Sequence, residues 1–406
     1  MMRVTFSPSR AVGRVDAPPS KSMAHRLLIC AGLAKGKSIV HGIARSEDVL
    51  ATIDCLTALG AVCTVDGDTV TVEGVDVRAA TPRNTLSCRE SGSTLRFMLP
   101  IALLCGKSAM LLGSPSLMQR PMQVYETLCR EKDMLYLQDE QSIVVKGPLP
   151  SGEYRVAGNI SSQFISGLLF ALPLATGDST LVITASVESR SYIHLTIAAL
   201  RSFGVNVTWR DDHTLFIPGN QSYRPQETTV EGDYSNAAFL DAFSLFGGDV
   251  EVENLLPDSL QGDRVYRSYF EMLCKGTPTI HIGDCPDLGP ILFAVAAAKH
   301  GGIFNGTRRL RIKESDRAAV MAEELKKFGV SVTVYEDTVV VYPVDFHAPT
   351  VPLGGHNDHR IVMALSVLLS ITGGTLLGAE AVKKSFPDFF ENIQALGVAY
   401  TCFEEA

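Results

Sequence analysis

Two hydrophobic periods alternate along the chain. Runs such as VSVTVY (330–335) and TVVVYP (338–343) place apolar residues at every second position and predict half-buried strands. The stretch DRAAVMAEELKKFG (316–329) instead repeats at three and four residues and predicts a helix, closed by a glycine suited to a left-handed C-cap. These segments follow one order throughout: a small-residue helix end, a glycine turn, a short strand, a capped helix ending in Leu-Gly or Phe-Gly, and two strands around a turn. The turn glycines Gly36, Gly106, Gly177, Gly247, Gly302 and Gly374 lie about 70 residues apart, with one shorter interval before Gly302. Six copies of an α/β unit follow. Six would overfill one core, so the pattern predicts two similar lobes of three units each rather than a continuous solenoid. Two stretches read as hinges, DAPPSK (16–21) and the polar NQSYRPQETTVEGDYS (220–235). Clefts between lobes are common places for active sites.

Composition narrows the function. The chain has 406 residues, 46% hydrophobic and 20% charged, and 36 Lys plus Arg against 44 Asp plus Glu leave a net charge of −8. That balance excludes a nucleic-acid binder relying on a broadly basic surface. Nine cysteines without a C-x-x-C pair, mostly inside apolar runs, read as reduced core residues. The first residues lack the apolar core of a signal peptide, and no run is long enough for a membrane span, so a cytoplasmic protein is expected.

Against this acidic background, cations concentrate at helix starts. In APPSKSMAHRLL, two prolines stop any preceding helix, Ser20 or Ser22 can cap the next one, and Lys21, Ser22 and Arg26 crowd its first turns. Unpaired N–H groups, the helix dipole, two cations and a hydroxyl suit a phosphate, although a serine cap with solvated cations would use the same residues. NISSQF places Ser161, Ser162 and Gln163 at another helix start, and RESGSTLR places Gly92 between serines at a third. SLMQRPM sets Arg120 before a proline read as the first residue of a helix. RIKESDR opens a helix near Ser315, with Glu314 and Asp316 matching the dipole and Arg311, Lys313 and Arg317 opposing it. NDHR sets Asn357, Asp358, His359 and Arg360 before an apolar helix, and KKSFPDFF sets Lys383 and Lys384 at what reads as one more helix start. Focused cations in an acidic protein imply small ligands rich in phosphate or carboxylate. Glu314, with Asp287 of GDCPDLGP, supplies candidate acid/base groups. No zinc or calcium spacing, Walker A sequence or dinucleotide fingerprint is present.

The motifs SKSMAHR, ESGSTLR, QRPM, SSQF, EGDYSNAAF, QGD, RIKESDR, NDHR and KSFPDFF together resemble, in order and over essentially the whole chain, the EPSP synthase branch of the enolpyruvyl transferase superfamily. The resemblance implies an inside-out α/β barrel type of fold, with three βαβαββ units per lobe and the first strand returning to the C-terminal lobe. The lobes would be 21–230, and 1–20 with 231–406, with the active site in the cleft between them. It implies transfer of the enolpyruvyl group of phosphoenolpyruvate to the 5-hydroxyl of shikimate 3-phosphate, in a monomer without metal or organic cofactor and without nucleic-acid or membrane partners. Carried over residue by residue, Lys21, Ser22, Arg26, Ser161, Ser162, Gln163, Ser189, Asp287 and Lys313 would hold shikimate 3-phosphate. Lys21, Gly92, Arg120, Gln163, Arg317, Arg360 and Lys384 would line the phosphoenolpyruvate site. Asp287, Glu314 and Lys21 would be catalytic, Asp287 taking the hydroxyl proton and Glu314 or Lys21 protonating the methylene carbon.

Three positions depart from the family pattern. Glu90 stands where Asn is common, Ser93 where Thr is common, and Arg309 where many members carry Asn. A sister family acting on a UDP-amino sugar carries Lys-Asn at the place of Lys21-Ser22 and a loop cysteine near SLMQRP; here there is Arg120, and no cysteine between Cys105 and Cys129. A catalytically silent anion binder of the same fold is the other alternative, and the retention of Asp287 and Glu314 among the cations argues against it.

Overall fold

The computed structural model describes residues 1–79 and 85–404. It divides into two compact units, Pro19–Glu231 and Met1–Pro18 with Gly232–Ala406. Each has its own apolar core, one drawn from residues 24–230 and the other from residues 4–17 and 234–398. No helix of the described residues is long and apolar enough to cross a membrane.

The repeat is visible as a recurring four-stranded sheet. In the unit Pro19–Glu231, Thr85–Ser87 pairs in parallel with Ser108–Leu112, which pairs antiparallel with Ser142–Lys146 and through it with Leu135–Gln138. Gly152–Ala157, Ser179–Thr184, Thr214–Ile217 and Thr208–Asp211 repeat that order. So do Glu227–Thr229, Gly36–His41, Thr69–Gly74 and Val62–Asp66, with the first place filled from the far end of the unit. A parallel pair needs a crossover helix while an antiparallel pair needs only a hairpin, so each sheet is the signature of a βαβαββ path.

The other unit has two such sheets and one shortened copy. Thr279–His281, Gly302–Asn305, Thr338–Val341 and Val332–Val334 form the first. Leu353–Gly354, Gly374–Leu377, Met2–Phe6 and Tyr400–Glu404 form the second, the N-terminal strand taking an inner place. The third copy is a two-stranded parallel pair, Val12–Asp16 with Asp249–Glu253. Among the described residues this copy has no hairpin, which explains the short glycine interval before Gly302, and the other five copies keep all four strands.

Ahead of one strand of each parallel pair runs a largely apolar helix: Lys21–Leu33, Gly92–Leu104 and Ser162–Ala171 in one unit, Tyr234–Asp241, Gly289–Ala298 and His359–Thr372 in the other. A helix apolar on all sides belongs inside, and these are buried over most of their length. Burial leaves their first N–H groups needing partners. Ser20, Ser91, Ser161, Asp233 and Asp358 supply side-chain caps to all but Gly289–Ala298. Each cap is worth about 1 kcal/mol.

Polar side chains also tie the capped starts together. His25 Nδ1 lies 2.7 Å from Thr52 Oγ1, Thr52 Oγ1 2.8 Å from Thr94 Oγ1, and Thr94 Oγ1 donates to Ser91 Oγ at 2.8 Å. This chain joins the starts of Lys21–Leu33 and Gly92–Leu104 through Glu47–Ala58. Burial, aided by Lys21 and Arg26, holds the His25 imidazole well below its ordinary value of 6.5, so it stays neutral in the fold. The unfolded chain then binds a proton that the folded one refuses, and stability falls as pH drops below about 6.5. His25→Asn should flatten this loss by up to about 1.4 kcal/mol per pH unit in urea-melt series below pH 6.5; equal slopes in the two proteins would contradict it.

Candidate active site

Two clusters of polar side chains gather at the starts of the buried helices, one in each unit.

In the unit Pro19–Glu231, the helix begun by Ser20 presents Lys21, whose Nζ donates to Asp48 Oδ2 at 2.7 Å. One turn on, Arg26 is buried and donates only to neutral oxygens: Thr196 Oγ1 at 2.9 Å, Ser22 O at 2.6 Å and Tyr192 O at 3.0 Å. Its guanidinium faces the rings of Phe97 and Tyr192 at 5.3 and 5.9 Å. Burial pulls its pKa down to about 10, with no carboxylate among these partners to offset the cost. A buried cation compensated only by dipoles and aromatic faces is suited to meet an anion.

Gly92 is the first residue of its helix rather than part of a preceding turn, and Ser91 is the cap. A β-carbon at Gly92 would lie 2.7 Å from Arg120 Nη1, so the absence of a side chain lets the Arg120 guanidinium rest on the helix start. Pro121 does not open a helix as its position before MQVYETL suggested. That helix is Gln123–Glu131, and the Pro121 carbonyl instead accepts from Arg96 Nη2 at 3.2 Å. Arg96 Nη1 donates to Gln163 Oε1 at 2.6 Å, and Gln163 Nε2 donates to Ser93 Oγ at 2.9 Å. Ser161 and Ser162 are buried at the start of the same helix as Gln163. Ser189 is buried in a left-handed conformation ahead of Arg190–Ser202.

In the other unit, the helix expected near Ser315 runs Arg317–Lys326 and is capped by Asp316, leaving Ser315 to donate to Asp358 Oδ2 at 3.0 Å. Arg317 is 1% exposed and its guanidinium is shared among three carboxylates. Nε donates to Asp358 at 2.9 Å, Nη1 to Asp287 at 2.8 Å and Nη2 to Glu314 at 2.7 Å. Asp287 also accepts from Lys313 Nζ at 3.1 Å and from Arg360 Nη2 at 3.5 Å. Arg360 Nη1 reaches Asn236 Oδ1 at 3.4 Å, bringing in the start of Tyr234–Asp241. Asp287, Lys313, Glu314, Arg317 and Arg360 are thus one network.

Lys384 joins it differently from expectation. It ends a 3-10 turn, Ala379–Lys384, and the next helix starts only at Phe389, so no helix N-terminus lies at the lysine. Its Nζ donates instead to Asn357 O at 2.7 Å, in the turn that leads to Asp358 and Arg360.

The charges settle one another. Burial would raise the Asp287 pKa, but Lys313, Arg360 and Arg317 hold it well below the usual carboxylate range. Burial lowers Lys313 to about 8; Arg309 and Arg317 add to this, and Asp287 and Glu314 offset only part. Arg317 would also be lowered by burial, yet Asp358, Glu314 and Asp287 raise it. Asp287 stays ionised at neutral pH, while Lys313 is close to exchanging its proton.

Motif reading missed Asp48, Arg96, Asp358 and Asn236 as members of these clusters. Asp358 was read in NDHR at a helix start but without its partner Arg317, and Arg96 stood in ESGSTLR without a marker of its partner. Among the described residues, Glu323, Glu324 and His356 bring potential metal-binding atoms within 4.8 Å of one another, although Lys327 Nζ already bonds both Glu324 oxygens.

The sequence profile of EPSP synthase (3-phosphoshikimate 1-carboxyvinyltransferase) matches residues 6–393. A 3-phosphoshikimate 1-carboxyvinyltransferase of Clostridium perfringens is 38% identical, the match covering 98% of this chain and 99% of that one. One of Clostridioides difficile is 36% identical over 96% of each. A solved EPSP synthase from Acinetobacter baumannii shares the fold with a TM-score of 0.80 at 23% identity over 100% of both chains. The enolpyruvyl transferase NikO from Streptomyces tendae does so with a TM-score of 0.78 at 14% identity, over 100% of this chain and 99% of that one. Matched along nearly its whole length by the family profile and by relatives above one third identity, the chain belongs to the EPSP synthase family.

Proposed function

We propose that this chain transfers the enolpyruvyl group of phosphoenolpyruvate to the 5-hydroxyl of shikimate 3-phosphate, releasing phosphate, and that the two clusters described above serve this one reaction. The observation that carries the reading is the interleaving of Asp287 and Glu314 with Lys313, Arg317 and Arg360. A site built only to hold anions gains nothing from carboxylates, which weaken the local positive potential. A reaction that must both bind anions and move protons needs both kinds of group.

In this reading Ser22, Arg26, Ser161, Ser162, Gln163, Ser189 and Lys313 hold shikimate 3-phosphate, and Asp287 faces its 5-hydroxyl. Lys21, Gly92, Arg120, Gln163, Arg360 and Lys384 surround phosphoenolpyruvate. Arg317 adds positive potential there while fixing Asp287 and Glu314 in place. The hydroxyl oxygen attacks C2 of phosphoenolpyruvate as Asp287 accepts its proton. The methylene carbon takes a proton from Glu314 or Lys21 and becomes a methyl group, giving a tetrahedral intermediate that still carries phosphate. Elimination reverses the proton traffic: the methyl group gives a proton back, the C2–O bond to phosphate breaks, and the enol ether remains. Preset cations lower the barrier because they need not reorganise as charge develops.

Inorganic phosphate should be released only when both substrates are present, in a coupled phosphate assay; release from phosphoenolpyruvate alone, or none with both, would refute the reading.

Asp287→Ala and Glu314→Ala should each lower kcat by about 10²–10⁴-fold, the scale of a general acid or base. Near-normal kcat with a lower KM for phosphoenolpyruvate would reduce these carboxylates to charge balancers.

Lys313 sets a basic limb. Its ammonium is charged below about pH 8 and lost above it, so kcat/KM for shikimate 3-phosphate should fall as pH rises through about 8. Lys313→Arg, charged throughout that range, should remove the limb even where it lowers the rate; an unchanged limb would assign it to another group.

A further inference from the structure

We infer that Glu324, on the helix that begins at Arg317, is a positioning residue that sets the phosphoenolpyruvate side of the site through the turn 354–358. The inference rests on the reading above of Arg360 and Lys384 as phosphoenolpyruvate ligands.

Glu324 lies on the helix Arg317–Lys326 and is fully buried. A buried carboxylate needs every lone pair occupied, and this one is supplied from two directions. Lys327 Nζ donates to both oxygens at 2.9 Å. From the other side, Gly354 N donates to Oε2 at 3.0 Å and His356 Nε2 lies 2.8 Å from Oε1. Lys327 balances the charge, and the remaining bonds fasten a turn.

That turn is held in an unfavourable shape. His356 and Asn357 are consecutive residues with φ of 48° and 53°, in the left-handed region that side chains disfavour. Such a pair persists only where its surroundings over-determine it. The fastenings are visible: Gly355 N donates to Leu377 O at 2.7 Å, Asp358 N to Gly355 O at 2.9 Å, and His356 is held by Glu324. Gly354 makes the last of these feasible, because a β-carbon there would lie 2.8 Å from His356 Nε2.

The turn delivers the site's groups. Asn357 offers its carbonyl to Lys384, and Asp358 caps the helix that carries Arg360 while gripping Arg317. A relaxation of residues 356–357 toward right-handed backbone would therefore move Lys384 and Arg360 together. Groups assigned to shikimate 3-phosphate in the unit Pro19–Glu231 would stay where they are.

Three variants test this, assayed in the full chain beside wild type. Glu324→Gln removes acceptors from the turn, and Gly354→Ala displaces the His356 ring while leaving the Glu324–Lys327 pair. Both should raise KM for phosphoenolpyruvate about tenfold or more with KM for shikimate 3-phosphate within about twofold. Lys327→Met removes the charge partner and the Lys327 bond to the Pro352 carbonyl at 3.3 Å, but no bond to residues 354–358; it should lower the melting temperature and leave KM for phosphoenolpyruvate unchanged. Equal rises in both KM values, or unchanged kinetics in Gly354→Ala, would overturn the positioning role. So would a phosphoenolpyruvate defect in Lys327→Met equal to that of Glu324→Gln, since loss of stability alone would then explain it. Wild type inactive with both substrates would instead refute the functional reading.

Discussion

One guanidinium gathers the chemistry of the larger polar cluster. Arg317 bonds Asp287, Glu314 and Asp358, which come from three separate stretches of chain. Removing one member of a buried ion pair typically costs about 3–5 kcal/mol, because the partner keeps its desolvation penalty without its compensation. Here three carboxylates share one cation, so the geometry of each depends on the others. Asp358 ties the group to a helix cap, Asp287 to the residues ahead of Gly289–Ala298, and Glu314 to the loop before Arg317 itself.

The same arrangement explains how an acidic protein can receive anions. Lys313, Arg317 and Arg360 face Asp287, Glu314 and Asp358, so their formal charges cancel. In the proposed function, an anion binding there would exchange partners with these carboxylates rather than be captured by an idle positive patch. The cluster around Arg26 works by a different principle. Its cation is satisfied by a hydroxyl, two carbonyls and two aromatic faces, weaker partners that leave more of its positive potential uncompensated. One cluster is suited to chemistry and the other to steady affinity.

The repeat was legible because its signals are local: a glycine turn, a change of hydrophobic period and a capping serine each lie within a few residues. Serine caps were expected at these starts for this reason, and of the serines offered Ser20, Ser91 and Ser161 are the ones that cap. The site pairings were not legible, because the partners lie far apart in sequence. Lys21 meets Asp48 across 27 residues, Arg317 meets Asp358 across 41 and Arg96 meets Gln163 across 67. Misread helix starts have one physical cause. Proline and lysine next to an apolar run are compatible with a helix N-terminus, yet tertiary bonds from Arg96 to the Pro121 carbonyl and from Lys384 to the Asn357 carbonyl favour other local shapes.

The N-terminal strands impose an order on biosynthesis. Residues 19–231 contain every strand and helix of their own unit, whereas Met2–Phe6 waits for Gly374–Leu377 and Tyr400–Glu404. At about 5–20 residues per second, the first strand leaves the ribosome on the order of tens of seconds before its neighbours exist. During that interval a strand that buries Val4 and Phe6 has both edges open, the condition that invites pairing with another chain. Pairing of residues 2–6 is therefore the one step in assembling this sheet that waits for residues 374–404 to be made.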